Sequence, residues 1–246
     1  MRTVSFINLK GGPGKTTLST NTAVAFARQG VRVLFIDNDK QGNASSFFHV
    51  KIDEMEGTLA ALYLSDAKAE DVIQKTNYEN VDLIPGNMYL KLVEITLMQE
   101  NNTIPRTILI EKLASIFDQY DLCIMDNPPD VGVTVINSLL FTDDVIIITT
   151  PHKYSMDGID EIYRQLKSID GKEFNIKCLF NQYISSDLSF NYKKILKEKY
   201  PVFESCIRFN RKFLQIAEEA KKPVFEVSPH CGFSQDLFRF LRELTK

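Results

Sequence analysis

Residues 8–18 read NLKGGPGKTTL. They follow the apolar run TVSFINL (3–9) and lead into KTTLSTNTAVAFARQG, which reads as a helix closed by Gly30. Strand, glycine-rich loop and helix, in that order, are the setting of a phosphate-binding loop. Gly11, Gly12 and Gly14 have no side chain to hold backbone N–H groups away from phosphate oxygens. Those amides form an anion nest, reinforced by the positive end of the following helix. Lys15 would reach the β- and γ-phosphates, Thr16 would place a hydroxyl on Mg²⁺, and Thr17 is placed for the α-phosphate. The spelling is unusual. The pattern G-x-x-x-x-G-K-[ST] ends at Gly14-Lys15-Thr16, so its first glycine belongs at position 9, where Leu9 stands. A second lysine, Lys10, directly precedes the glycines.

Working outward, five more short β-rich runs appear: VRVLFID (31–37), VDLIPG (81–86), YDLCIMD (120–126), DDVIIITT (143–150) and NIKCLFNQY (175–183). Helical patterning falls between and after them, over 88–99, 105–118, 132–141, 155–169, 188–199, 210–221 and 233–245. Continuous apolar strands alternating with helices imply an α/β fold with a mostly parallel sheet covered by helices on both faces. With 246 residues and no linker, repeat or low-complexity segment, a single domain over 1–246 is the economical reading. Residues 44–80 are the least regular part and are expected to hold short helices.

The composition is that of a soluble globular chain, 44% hydrophobic and 25% charged, with a net charge of −3. The charge is uneven. Residues 172–222 hold 11 Lys and Arg against 6 Asp and Glu, a surplus of five that leaves −8 on the remainder. A basic surface on an acidic body is therefore allowed. Cys123, Cys178, Cys206 and Cys231 are widely spaced, without C-x-x-C, and read as reduced, mostly buried thiols; a cluster ligand shared between two copies is the alternative. The three histidines show no ligand spacing. No signal peptide and no membrane-length apolar run is visible.

A phosphate loop of this kind needs a carboxylate for magnesium at the end of a neighbouring buried strand. Asp126 ends the run 122–125, and Pro128-Pro129 stiffens the exit loop, where it could sense the γ-phosphate. FIDNDKQGN ends the second strand with Asp37 and Asp39. Their i, i+2 spacing in extended chain would point both the same way, one toward the metal shell and the other toward an attacking water.

KGGPGKTT resembles the deviant Walker A motif K-G-G-x-G-K-[ST], shared by the ParA and MinD ATPases, the nitrogenase iron protein and their relatives. IDNDKQGNAS resembles the ParA segment D-x-D-P-Q-G-N-A-[ST]. The stretches beginning DNPPDVG and CIRFNRKF resemble the later ParA segments, in register over nearly the whole chain. The resemblance implies an ATP- and Mg²⁺-dependent ATPase, slow and stimulated by a partner. It implies that Lys10 of one subunit reaches the phosphates held by the other, making dimerisation depend on ATP. It assigns water positioning to Asp39, the outer metal shell to Asp37, the Walker B role to Asp126, and adenine reading to Asn181. Departures are Leu9 for a common glutamine, Pro13 for a small residue or valine, Lys40 for proline, and the atypical Asn127 and Asp130.

ParA proteins, by the same resemblance, bind duplex DNA non-specifically as ATP dimers. Lys193, Lys194 and Lys197 lie on a predicted helix, Arg208, Arg211 and Lys212 follow in RFNRKF, and Lys221 and Lys222 stand beyond them. A dimer would double such a patch. No helix-turn-helix precedes the loop, so the shorter ParA class is expected, with a ParB-like centromere-binding partner and a place in the cytoplasm on the nucleoid. The alternative is a MinD-type membrane-cycling ATPase. Its amphipathic tail would have to be the last helix, whose face holds Phe233, Leu237, Phe240, Leu241 and Leu244. That helix is expected to pack on the domain, so no membrane partner is expected. A metal-cluster reductase and a non-hydrolysing ATP-dimerised regulator are the remaining readings; the missing C-x-x-C argues against the first, and the three aspartates against the second.

Overall fold

The computed structural model describes residues 1–99, 107–169 and 172–246. Its centre is the strand–loop–helix unit, β1 (Arg2–Ile7) and α1 (Lys15–Ala27). The chain continues through β2 (Val33–Asp37), three short helices, α2 (Asn43–Phe47), α3 (Leu59–Leu64) and α4 (Ala69–Val72), then β3 (Gln74–Lys75) and β4 (Val81–Ile84). Next come α5 (Leu90–Gln99), α6 (Ile108–Leu113), a 3-10 turn (Ala114–Gln119), β5 (Leu122–Asp126), α7 (Val133–Phe141) and β6 (Asp144–Thr149). The last part holds α8 (Lys153–Lys167), β7 (Asn175–Tyr183), α9 (Asp187–Lys199), β8 (Val202–Arg208), α10 (Arg211–Ala220), α11 (Val224–Val227) and α12 (Gly232–Leu244). The predicted helix over 105–118 begins at two residues outside the described ones.

One eight-stranded sheet has the order β3-β4-β2-β5-β1-β6-β7-β8. Every pairing is parallel except β3 with β4. Strand alternation sorts the core into two layers. Val4, Phe6, Val33, Phe35, Leu122, Ile124, Ile146 and Ile148 face α1 and α12. Leu34, Ile36, Cys123, Met125, Ile7, Val145 and Ile147 face the helices on the other side. Because both faces are covered, β2 and β5 are buried at every position, which is why they read as unbroken apolar runs.

The two edge strands differ from the sequence expectation, which ended the sheet at residue 183. β8 adds a parallel edge beyond β7, and β3 adds a two-residue antiparallel edge beside β4. β8 reads VFESCIR, with Glu204 and Arg208 exposed and Phe203 and Ile207 buried, so it lacks the continuous apolar signal of an inner strand. On α12, Phe233, Leu237, Phe240, Leu241 and Leu244 are all buried. The apolar face that a membrane reading would need is packed into the core. Among the described residues no helix is long and apolar enough to cross a membrane.

Candidate functional site

The parallel sheet places the loops after β1, β2 and β5 at one end of the strands, and their register sets Phe6 and Asp37 beside Asp126. The loop after β1 takes a conformation that needs its glycines: Gly12 and Gly14 sit at φ 88° and 91°, the left-handed region. Its shape is fixed from below. The Asn181 amide at the end of β7 donates to the Pro13 carbonyl at 2.7 Å, and a Cβ on Gly14 would collide with that amide. Next along, the Gln182 amide donates to the Gly12 carbonyl at 2.8 Å. The Asn8 side chain donates to the Ile148 carbonyl and accepts the Lys10 N–H at 2.6 Å.

Gly11, Gly12, Gly14, Lys15, Thr16 and Thr17 line a cleft of about 700 Å³, closed on the far side by Asp39, Phe47, Pro129, Gln182, Leu214 and Lys221. Lys15 is buried, with Nζ 3.5 Å from the Lys10 carbonyl. Burial pushes its pKa down, and Asp126, Asp39 and Asp130 oppose that shift. Its charge is already desolvated, as a phosphate partner requires. Lys10 is exposed at the loop's outer edge.

The Thr16 hydroxyl donates to Asp126 Oδ2 at 2.6 Å. Asp126 is buried, and its Oδ1 has no hydrogen-bond partner among the described residues. A buried carboxylate oxygen without a partner, beside a loop hydroxyl, is the donor set of a hard divalent cation such as Mg²⁺. Burial pushes the Asp126 carboxyl up to about 6, against the opposing pull of Thr16 and Lys15.

Asp37 and Asp39 do not point the same way. β2 ends at Asp37, so the extended geometry that would align them stops there. Asp39 opens into the cleft, its Oδ1 accepting the Gln41 N–H at 2.9 Å. Asp37 turns inward and is fully buried, with Oδ2 accepting the Ser45 N–H and hydroxyl, each at 2.7 Å. Burial, and then repulsion from Asp126, push it up to about 8.

Between about pH 4 and pH 8 the fold therefore holds protons that the unfolded chain has lost, and metal-free stability falls as pH rises. Asp37→Asn removes the larger share of that decline. Its melting temperature should exceed wild type at pH 8 and converge with it near pH 4. A metal-free wild type whose melting temperature is flat from about pH 5 to 8 would mean that Asp37 is ionised in the fold.

Gln182 and Ser45 are site groups that the sequence does not single out. Gln182 lines the cleft, and Ser45 holds Asp37. Gln182, at φ 54°, lines the cleft, and its neighbour Asn181 does not. Asn181 itself is buried against the loop.

The basic residues are spread over α9, the end of β8 and the start of α10, and half of them are engaged internally. Arg208 makes a two-pronged pair with buried Asp236, at 2.6 and 3.0 Å. Lys197 pairs with Glu204 at 2.6 Å, and Lys193 donates to the Glu204 carbonyl at 2.6 Å. Lys194, Arg211 and Lys212 are exposed and make no ion pair among the described residues. Lys221 and Lys222 line the cleft. All four cysteines are free thiols, and no group of three or more metal-binding His, Cys, Asp or Glu side chains occurs among the described residues.

A phosphate loop between a buried strand and its helix, with a carboxylate ending the neighbouring strand, defines a P-loop α/β protein. The AAA_31 family model, an AAA domain, matches residues 1–178. The sporulation initiation inhibitor protein Soj of Bacillus subtilis is 34% identical over 167 residues, covering 68% of this chain and 65% of Soj. The virulence plasmid ParA family protein pGP5-D of Chlamydia psittaci is 31% identical over 253 residues, covering 99% of this chain and 94% of that protein. Among solved structures, apo McdA of Cyanothece superposes with a TM-score of 0.87 at 21% identity over 100% of both chains, which matches the fold. The chain belongs to the ParA/MinD superfamily of ATPases.

Proposed function

We propose that this chain is a partitioning ATPase of the ParA type. Two copies bind ATP and Mg²⁺, dimerise face to face, hold duplex DNA without sequence preference, and release it after hydrolysis. The observation that carries the reading is the Thr16–Asp126 pair, whose second carboxylate oxygen has no partner among the described residues, beside a cleft lined by Thr16, the loop glycines and Asp39. The full-length likeness to a plasmid ParA family protein supports the partitioning role.

In this reading the loop amides and Lys15 bind the β- and γ-phosphates, and the Thr16 hydroxyl and Asp126 hold the cation. When bound, Mg²⁺ offsets the charge on the phosphate oxygens. Asp39 accepts a hydrogen bond from the attacking water and orients it. Asp37 is the outer carboxylate, two positions from Asp39 and hydrogen-bonded to its N–H at 3.2 Å. Asn181 holds the loop that receives the nucleotide through its bond to the Pro13 carbonyl, and is assigned to the adenine by the family resemblance. Lys10 crosses to the partner's phosphates, where two nucleotides facing each other would otherwise repel.

On the outer surface Lys194, Arg211 and Lys212 are the cations available to DNA phosphates, with Lys193, Lys197 and Arg208 behind them. A ParB-like centromere-binding protein accelerates hydrolysis, and the cycle runs in the cytoplasm on the nucleoid. The packed face of α12 favours DNA over a membrane as the surface that is bound.

Phosphate release and light scattering test the reading together. Wild-type protein should hydrolyse ATP only with Mg²⁺, and ATP but not ADP should move it from monomer to dimer mass. Hydrolysis that ignores Mg²⁺, or a mass unchanged by ATP, would contradict it.

A further inference from the structure

Two loops flank the place of the γ-phosphate. Residues 38–40, after β2, carry Asp39, and residues 127–130, after β5, follow Asp126 and carry Pro128-Pro129. We propose that these loops are clamped together at two levels, by Asn38–Asn127 in the core and Lys40–Asp130 at the cleft mouth, so that residues of the second loop act as positioning residues for Asp39. The inference rests on the ATPase reading above.

The inner level is a buried carboxamide with three attachments. Asn38 Nδ2 donates to Asn127 Oδ1 at 2.8 Å, and the Ser138 hydroxyl of α7 donates to the same oxygen at 2.7 Å. Asn127 Nδ2 donates to the Phe6 carbonyl of β1 at 3.4 Å. The Asn38 N–H donates to the Asp126 carbonyl at 2.9 Å. Asn38 and Asn127 are 1% exposed and Ser138 is 0% exposed, so no water competes for these bonds. Removing the Asn127 side chain leaves the buried Asn38 amide without this acceptor, while the Ser138 hydroxyl keeps the Val135 carbonyl at 2.9 Å, and a buried amide is costly to leave unpaired.

The outer level is weaker. Lys40 Nζ lies 3.7 Å from Asp130 Oδ2, with side chains 32% and 43% exposed. Alone, a pair of that kind contributes little. Here Glu94 of α5 lies close by: a Cβ on Gly132 would meet Glu94 Oε1 at 2.7 Å, and burial raises the Glu94 carboxyl, with Lys40 opposing and Asp130 adding to that shift. Lys40, Asn127 and Asp130 are three of the positions at which the chain departs from ParA spelling. They lie 87 or more residues apart in sequence from Lys40, and the structure brings all three to one junction.

The test uses the full chain and a double-mutant cycle. Asn127→Ala should lower ATP turnover about ten-fold while ATP affinity changes less than about two-fold, because the clamp places Asp39 and not the phosphates. Lys40→Gln and Asp130→Asn should each slow turnover about three-fold, and the double variant should be no slower than either, since both remove one link. Lys40→Arg should keep the wild-type rate. Single effects that multiply in the double variant, or Asn127→Ala acting on affinity alone, would overturn the clamp. If Asn127→Ala does not fold, Ser138→Ala and the charged pair carry the same comparison.

Hydrogen exchange on nucleotide-free protein separates this inference from the ATPase reading. Lys40→Gln should quicken exchange in 38–41 and in 127–132 alike. Quickening confined to the loop that was altered would sink the clamp even if ATP is hydrolysed. A wild type that hydrolyses no ATP would sink the ATPase reading, and exchange alone would then decide the clamp.

Discussion

Lys15→Ala should bind ATP on the order of 100- to 4,000-fold more weakly than wild type. Removing one partner of a buried charge pair costs about 3–5 kcal/mol, at about 1.4 kcal/mol per tenfold. Lys15 is buried in the cleft, and among the described residues its Nζ has a single long hydrogen bond, 3.5 Å to the Lys10 carbonyl, which phosphate oxygens would replace. Its desolvation is built into the fold, so binding does not bear that cost again. The variant also removes the cation facing Asp126, which leaves the magnesium carboxylate harder to ionise. Titration calorimetry with ATP and Mg²⁺ reads the effect. Affinity within a few-fold of wild type would remove residues 11–17 from the nucleotide site.

Lys10→Ala should leave ATP binding by one copy within about three-fold and abolish the ATP dimer, because an exposed lysine adds little within its own subunit. Two of the contacts Lys10 makes to its own loop are backbone: its N–H is held by Asn8, and its carbonyl faces Lys15. Alanine keeps both. Across a dimer the same side chain would meet phosphate in a water-excluded interface, where losing it costs about 2–5 kcal/mol and shows in dissociation. Light scattering of the variant with ATP separates the two. A dimer of normal strength would make Lys10 a surface residue and leave the doubled lysine of KGGPGKTT unexplained.

The sheet was legible because its inner strands are buried on both faces and so read as continuous apolar runs. Its edges were not: β8 mixes charged and apolar residues, and β3 is too short to carry a pattern. The phosphate loop was legible because glycines, lysine and threonine must adjoin one another in the chain to act together. Contacts made across the fold left no such trace. Nothing in the spacing of Asp37 and Asp39 shows that the strand ends between them, or that Ser45 turns one of them inward. Nothing in the sequence joins Asn38 to Asn127, 89 positions away. The basic residues were visible as a cluster, but their pairing with Glu204 and Asp236 was not, since those acids come from β8 and α12. Charge counted along the chain overstated the charge left to face a partner.

The central claim is that ATP, by making a dimer, switches DNA binding on. Asp39→Ala should preserve the ATP-bound state by slowing hydrolysis, so its binding to random duplex DNA with ATP or ADP is the most direct test. With ATP, tight binding should weaken steeply between about 50 and 200 mM salt. If Lys194, Arg211 and Lys212 of both copies contact phosphates, the slope of log affinity on log salt should be about −5. With ADP, binding should be weak and the slope about half as steep. Equal binding in ATP and ADP, or none in either, would contradict the claim.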